Sequence, residues 1–226
     1  VRMSFVHLRT HTEFSVVDGT LRIEDAVKAA APDAQPALAV TDLANLFGAV
    51  KFYSAARKAG GEALFDALSR ASRRPAFYAA LGVPDTIDGR FDLLALHAVL
   101  AFRALQAHGT EGRGLAQATC DRMFESFDDA VRALGVGDMG VPRKVKTMAG
   151  AYQGRAAVYG QALDASDDAA LATALARNVF RSADDPRGHA LARYALAAAA
   201  ALAAQPLDAY SSGAVQFPDP PDARAS

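Results

Sequence analysis

The chain is short of cysteine: Cys120 is its only one in 226 residues. A single thiol excludes an intramolecular disulfide and any zinc site built from several cysteines, and it fits a reducing compartment. An excess of either charge is lacking too. The 24 Lys and Arg face 25 Asp and Glu, for a formal net charge of -1, so no global field asks for nucleic acid or an anionic membrane as partner. Residues 1–15 lack the charged and apolar regions of a secretory signal. Long apolar runs are also missing. Residues 93–105 are interrupted by His97 and Arg103. Residues 190–204 are mostly alanine, carry Arg193 and fall short of the ~20 strongly apolar residues a membrane span needs. Alanine favours helix but buries little surface, so this stretch reads as a packing helix of a soluble protein. No internal repeat is present. What composition does supply is core material: 51% hydrophobic residues, with 22% charged, outside the disordered range.

The character of the chain changes near Gly60-Gly61. Before it, Phe5-Val6-His7-Leu8 has the β-branched and aromatic content of a buried strand. Asp18-Gly19 signals a turn. Ile23, Ala26, Val27, Ala30 and Ala31 fall at helical spacing, stopped by Pro32. Pro36-Ala37-Leu38-Ala39-Val40-Thr41 reads as a second buried strand, and Leu46, Val50, Tyr53 and Ala56-Arg57 as an amphipathic helix ending at Gly60. Two buried strands separated by a helix predict a parallel βαβ unit, extended here to βαβα.

These words, from Phe5 through His11-Thr12-Glu13-Phe14-Ser15 to Asp18-Gly19, then Ala37 to Asp42 and Asn45 to Tyr53, resemble the start of the PHP domain of the bacterial replicative DNA polymerase alpha subunit. The resemblance implies a metal-dependent phosphoesterase fold, with a His-x-His pair after the first strand and an Asp-His pair after the second. Such ligands suit divalent metals that activate water for phosphoester hydrolysis. Here Arg9 stands at the first histidine position, and Leu43 follows Asp42 where histidine belongs. A guanidinium cannot ligate a cation, and leucine has no lone pair. His11, Asp18 and Asp42 remain, and the resemblance stops where a third strand would begin. They are therefore expected to be turn, cap and solvated residues, with no catalytic and no metal-binding role.

From Glu62 onward the periods are helical, with no convincing strand alternation. Leu64-Phe65, Leu68 and Ala71 form one stripe, ended by Pro75. Asp85-Thr86-Ile87-Asp88-Gly89 is a turn in which Asp88 is the expected helix cap. Phe91, Leu94, Ala98, Phe102 and Leu105 follow at helical spacing. Leu93, Leu96 and Leu100 widen this face to most of the circumference, as in the central helix of a bundle. Further helices are predicted over 116–134, with Met123, Phe124, Phe127 and Val131 inward, and over 143–163. One capped by Ser166 or Asp167 runs through Phe180, and another spans 191–204. Pro218-Asp219-Pro220-Pro221 reads as disordered.

Pro75-Ala76-Phe77-Tyr78, Leu81 to Asp92 and His97 resemble the opening signature of the ubiquinol–cytochrome c chaperone family. Gly135-Val136-Gly137-Asp138, Lys144, Lys146, Met148, Tyr152-Gln153-Gly154-Arg155, Tyr159 and Arg177-Asn178-Val179 continue it in order over about 62–180. The resemblance implies a helical, non-enzymatic assembly factor that helps new cytochrome b into ubiquinol–cytochrome c reductase. Mitochondrial members also meet the ribosome at the tunnel exit.

Sharper chemistry is weak on spacing. Asp85, Asp88, Asp92 and His97 do not make a metal set, because Asp92 and His97 lie five apart on one helix and diverge; Arg90 neutralises one of the acids. Residues 135–140 follow a helix and lack the Gly-Lys-Ser/Thr ending of a phosphate loop. Cys120 and His97 lack an orienting third group and read as packed residues. Arg143, Lys144 and Lys146 suit an acidic partner, a lipid headgroup or ribosomal RNA, or form a solvated helix face; no aromatics interleave them to stack on bases.

The reading is a mainly α protein, a helical bundle-like domain with a small N-terminal βαβα extension. It divides as a truncated PHP-like segment at 1–61, a chaperone-like domain at 62–206 and a flexible tail at 207–226. The expected function is assembly chaperone, not enzyme, with no cofactor. The partner is cytochrome b or an early reductase assembly intermediate, with peripheral membrane or ribosome contact and no specific DNA binding. Asp88, Arg90, Arg143, Lys144 and Lys146 are the partner-binding candidates. The setting is cytoplasmic, peripheral at the inner membrane. The competing reading is a replisome-derived phosphoesterase fragment, or a fusion whose first part has no evolved function.

Overall fold

The computed structural model describes residues 6–15, 18–30, 35, 37–42 and 47–220. Among them run α1 (Ile23–Ala30), α2 (Phe47–Ser72), α3 (Pro75–Ala79), α4 (Ile87–Gln106), α5 (Gly109–Ala133), α6 (Val141–Asp164), α7 (Asp168–Leu175), a π-helical turn (Ala176–Phe180), α8 (Arg187–Ala203) and α9 (Leu207–Ser211). The expectation of a mainly helical protein holds.

The core is organised around α4. Its unbroken buried run from Asp92 to Ala101 leaves no solvent face over that stretch, and it touches α2, α5, α6, α8 and the π turn. An all-round apolar helix can only sit at the centre of a bundle. Thr86 starts it: an extended backbone lets its side chain accept from Gly89 N at 3.2 Å. The cap is thus Thr86, and Asp88 lies inside the first turn. Of the predicted inward residues of α5, Met123, Phe127 and Val131 are buried and Phe124 is partly buried against the core; Gly135 closes that helix at φ 77°, the left-handed conformation that favours glycine after a helix.

Three expectations are corrected. No strand is found among the described residues. The two N-terminal segments pair as an isolated parallel bridge, His7 to Leu38, and a second bridge joins Thr12 to Leu21. Ala39 N donates to His7 O and Thr41 N to Thr10 O, so the expected parallel direction is present without a βαβα unit. Phe5 and Pro36 lie outside the described residues. The physical reason is cover: Leu8 is 75% exposed, and two strands without a third neighbour are marginal in water.

The second correction is that the helix expected to end at Gly60 continues to Ser72. Gly60 and Gly61 are both buried where α2 lies along α5. A Cβ on Gly61 would stand 2.7 Å from the Ala118 carbonyl carbon. The glycine pair therefore marks a close helix crossing. Val50 and Tyr53, expected on an inward face, are exposed, and Leu46 lies outside the described residues.

Third, the stretch read as a flexible tail from 207 is packed. Tyr210 is buried and its hydroxyl donates to Leu202 O at 2.6 Å. Val215 and Phe217 are buried in the core, and Arg74 Nη1 donates to Pro218 O at 2.6 Å. Residues 221–226 lie outside the described set.

Candidate functional site

The most unusual chemistry lies where α4, α6 and the π turn meet. Asp92 is fully buried, one residue before the leucines that make α4 central. Arg155 of α6 donates to Asp92 Oδ1 at 2.5 Å, and its guanidinium carbon sits 5.1 Å from the Phe91 ring centroid. Arg181 brings Nη2 to 3.1 Å of Asp92 Oδ2 and to 3.8 Å of Asp88. Asp92 Oδ2 and Arg155 Nε still lack a hydrogen bond of good geometry. Burial is the largest influence on Asp92 and raises its carboxyl above the ordinary value, while Arg155 and Arg181 oppose that shift. With a guanidinium at each oxygen, the carboxylate acts as an anchor rather than a base.

The π turn makes this convergence possible. Its extra residue per turn ends in Arg181 at φ 64°, and Arg181 also donates to Asn178 O. Asn178 Nδ2 in turn donates to the Tyr159 hydroxyl at 3.0 Å. π turns in otherwise α-helical segments recur at functional sites, because they re-aim side chains that a regular helix would misplace. Three sequence-distant words, Asp92, Arg155 with Tyr159, and Asn178 with Arg181, thus become one network.

The residues proposed for partner contact fall into two groups. Asp88 and Arg90 are exposed at the start of α4, and Arg90 holds Asp85 at 2.7 Å. Arg143, Lys144 and Lys146 are exposed at the start of α6 and form no ion pair among the described residues. Lys144 stands 11 residues from Arg155, ~16 Å along the helix at 1.5 Å per residue. The basic group is thus about three helical turns from the Arg155–Asp92 contact.

His97 belongs to neither group. It is fully buried, with Nδ1 2.7 Å from Leu93 O and Nε2 2.8 Å from the Tyr194 hydroxyl. A carbonyl can only accept, so Nδ1 carries the proton and Tyr194 donates to Nε2. Phe77, Tyr194 and Phe217 pack around the ring. Both nitrogens are engaged, and this leaves none for Cys120, whose thiol is pushed up by burial.

At the N-terminal end, His11 Nδ1 lies 2.6 Å from Asp18, and Arg9 Nε donates to His11 Nε2 at 3.3 Å. Asp42 instead accepts from Thr12 N and Thr12 Oγ1, both at 2.6 Å. Among the described residues no group of three or more His, Cys, Asp or Glu is arranged to hold a metal; Leu43 lies outside them. Sequence reasoning missed the Asp92–Arg155–Arg181 anchor and the Thr86 cap. A signal for the first existed: a lone carboxylate opening an apolar run needs a buried cation.

Two family profiles match. One, described as Ubiquinol-cytochrome C chaperone, covers residues 79–217. The other, the PHP domain, covers 7–83. The DNA polymerase III subunit alpha of Pseudomonas aeruginosa is 55% identical over 58 residues, 26% of this chain and 5% of the polymerase. That of Escherichia coli K12 is 52% identical over 56 residues, 25% of this chain and again 5% of the polymerase. The chain thus spans about 5% of the length of these curated relatives. A crystal structure of the Cbp3 homolog from Brucella abortus is similar over 77% of this chain and 97% of that one, with TM-score 0.68 and 34% identity.

Proposed function

Because this chain belongs to the ubiquinol-cytochrome C chaperone family, we propose that it is a non-enzymatic assembly factor assisting cytochrome b maturation and ubiquinol–cytochrome c reductase assembly. The observation that carries this reading is the family match over 79–217, whose separated motifs converge on the Asp92–Arg155–Tyr159–Asn178 network. The client is cytochrome b or an early reductase intermediate. It is held by the surface of a preorganised helical scaffold until haem and partner subunits bury its apolar segments. Arg155 and Arg181 fix the approach of α6 and the π turn to α4, and so set the shape of that surface. No nucleophile or cofactor enters the scheme. No helix among the described residues is long and apolar enough to cross a membrane, and the proposed setting is the cytoplasmic side of the inner membrane, in peripheral contact. A polymerase activity is not proposed, since the chain covers so little of those relatives.

The test is client capture. Tagged protein is recovered from detergent-solubilised membranes and the eluate is probed for cytochrome b. Cytochrome b is expected with the wild type and with Asp88→Ala, whose exposed side chain is not the cap and whose loss should cost within about 0.5 kcal/mol. The pair Lys144→Glu with Lys146→Glu is expected to lower recovery at unchanged melting temperature, because reversed rim charges slow association. Absence of cytochrome b from the wild-type eluate would contradict the proposal.

A further inference from the structure

The connection between α5 and α6 is pinned at both ends and bare in between. Val131 and Val141 are buried, while the turn between them carries Leu134 at 56% and Met139 at 96% exposure. A methionine so little covered gains nothing for the fold by being apolar. The turn is also stiffened. Arg132 brackets it, bonded to Asp128 and Asp138 at 2.5 Å each, and Gly140 N donates to Gly137 O at 2.7 Å. Those two acids are thereby neutralised in part; Asp129 and, beside Arg122, Glu125 are the other exposed acids close in sequence.

Shortly after Met139 in sequence, Arg143, Lys144 and Lys146 are exposed at the start of α6. No acid follows on that helix before Asp164. The pairing of chemistries decides between partners. An RNA would use the cations, yet would ask for aromatic platforms rather than a thioether and a leucine. An anionic bilayer uses both: headgroup phosphates meet the cations, and the apolar side chains enter the interfacial region.

We propose that the α5–α6 turn is a membrane-docking element, in which Leu134 and Met139 insert at the surface of an anionic leaflet and Arg143, Lys144 and Lys146 engage its phosphates. The element deepens the chaperone reading by placing the scaffold beside a membrane-inserted client. It rests on the turn and on the first residues of α6, and its test contains no client, so failure to bind vesicles would leave the recovery of cytochrome b by the wild type untouched.

The experiment is vesicle co-sedimentation of the full chain. The vesicles are phosphatidylcholine alone or phosphatidylcholine containing phosphatidylglycerol, with melting curves recorded for every variant. Binding is expected to require phosphatidylglycerol and to fall with added salt. Lys144→Gln with Lys146→Gln should weaken it about fivefold per cation removed, and Leu134→Ser with Met139→Ser about tenfold, at unchanged melting temperature. Failure to sediment with phosphatidylglycerol vesicles would overturn the proposal, as would equal binding to both vesicle types or indifference to either variant pair. A short single-stranded RNA serves as the rival probe: tighter binding to RNA than to vesicles, with no dependence on Met139, would overturn it in favour of a nucleic-acid surface.

Discussion

Two buried ionisable groups on α4 carry opposite pH signatures. Burial lowers His97 from its ordinary 6.5 to about 4. Between those values the unfolded chain binds a proton that the folded chain refuses. Stability is therefore full above about pH 6.5 and falls as the pH drops toward 4, by about 3 kcal/mol in all. Asp92 has a raised carboxyl and works the other way, since its folded form takes up a proton before the unfolded one does. The His97 effect is isolated by comparing wild type with His97→Gln in melts at pH 7.5 and pH 5. The wild type should lose markedly more stability on acidification than the variant, and equal losses would refute the assignment. Much of this was legible in the sequence: a lone histidine in an apolar helical run reads as packed, and it is. The Tyr194 partner was not, because a contact 97 residues away leaves no local pattern. The same holds for Asp92, whose need for a cation was readable but whose partners, Arg155 and Arg181, were set by tertiary packing.

Among the elements, α2 shows where local rules mislead. Two glycines in a row read as a helix stop because glycine costs about 1 kcal/mol relative to alanine inside a helix. The approach of α5 overrides that cost, since a side chain at 61 would meet the backbone of Ala118. Gly154 on α6 is the contrasting case, with nothing within 4 Å of an added Cβ. Gly61→Ala is expected to destabilise by about 1–3 kcal/mol through overpacking, while Gly154→Ala should stabilise by up to about 1 kcal/mol. Denaturant midpoints of the two variants would check this, and equal shifts would remove the crossing argument. The segments at 6–8 and 37–41 mislead in the opposite sense. Their strand propensity and parallel direction were readable, but propensity cannot supply the neighbouring strands that a sheet requires. The π turn had no sequence signal either: the pattern runs on past Leu175 as helix, and only its tie to α4 makes the bulge apparent.

For the whole molecule we propose the division drawn from sequence, with a PHP-like segment at 1–61 and the chaperone-like domain from 62. The second part holds α4 and every helix around it except the first half of α2, and the chaperone profile spans 79–217. Among its described residues, the first part has α1 against α2, with Ile23, Ala26 and Val27 as its buried apolar side chains. A segment of that length is marginal as an independent core. Assembly of the reductase should accordingly depend on the second part alone. The direct measurement is the haem b content and level of assembled ubiquinol–cytochrome c reductase in membranes of a strain lacking this gene. It is read with and without plasmid-borne residues 62–226, with cytochrome b transcript held equal. The account predicts a loss of assembled complex in the deletion strain and its recovery with residues 62–226; an unchanged complex in the deletion strain would contradict it.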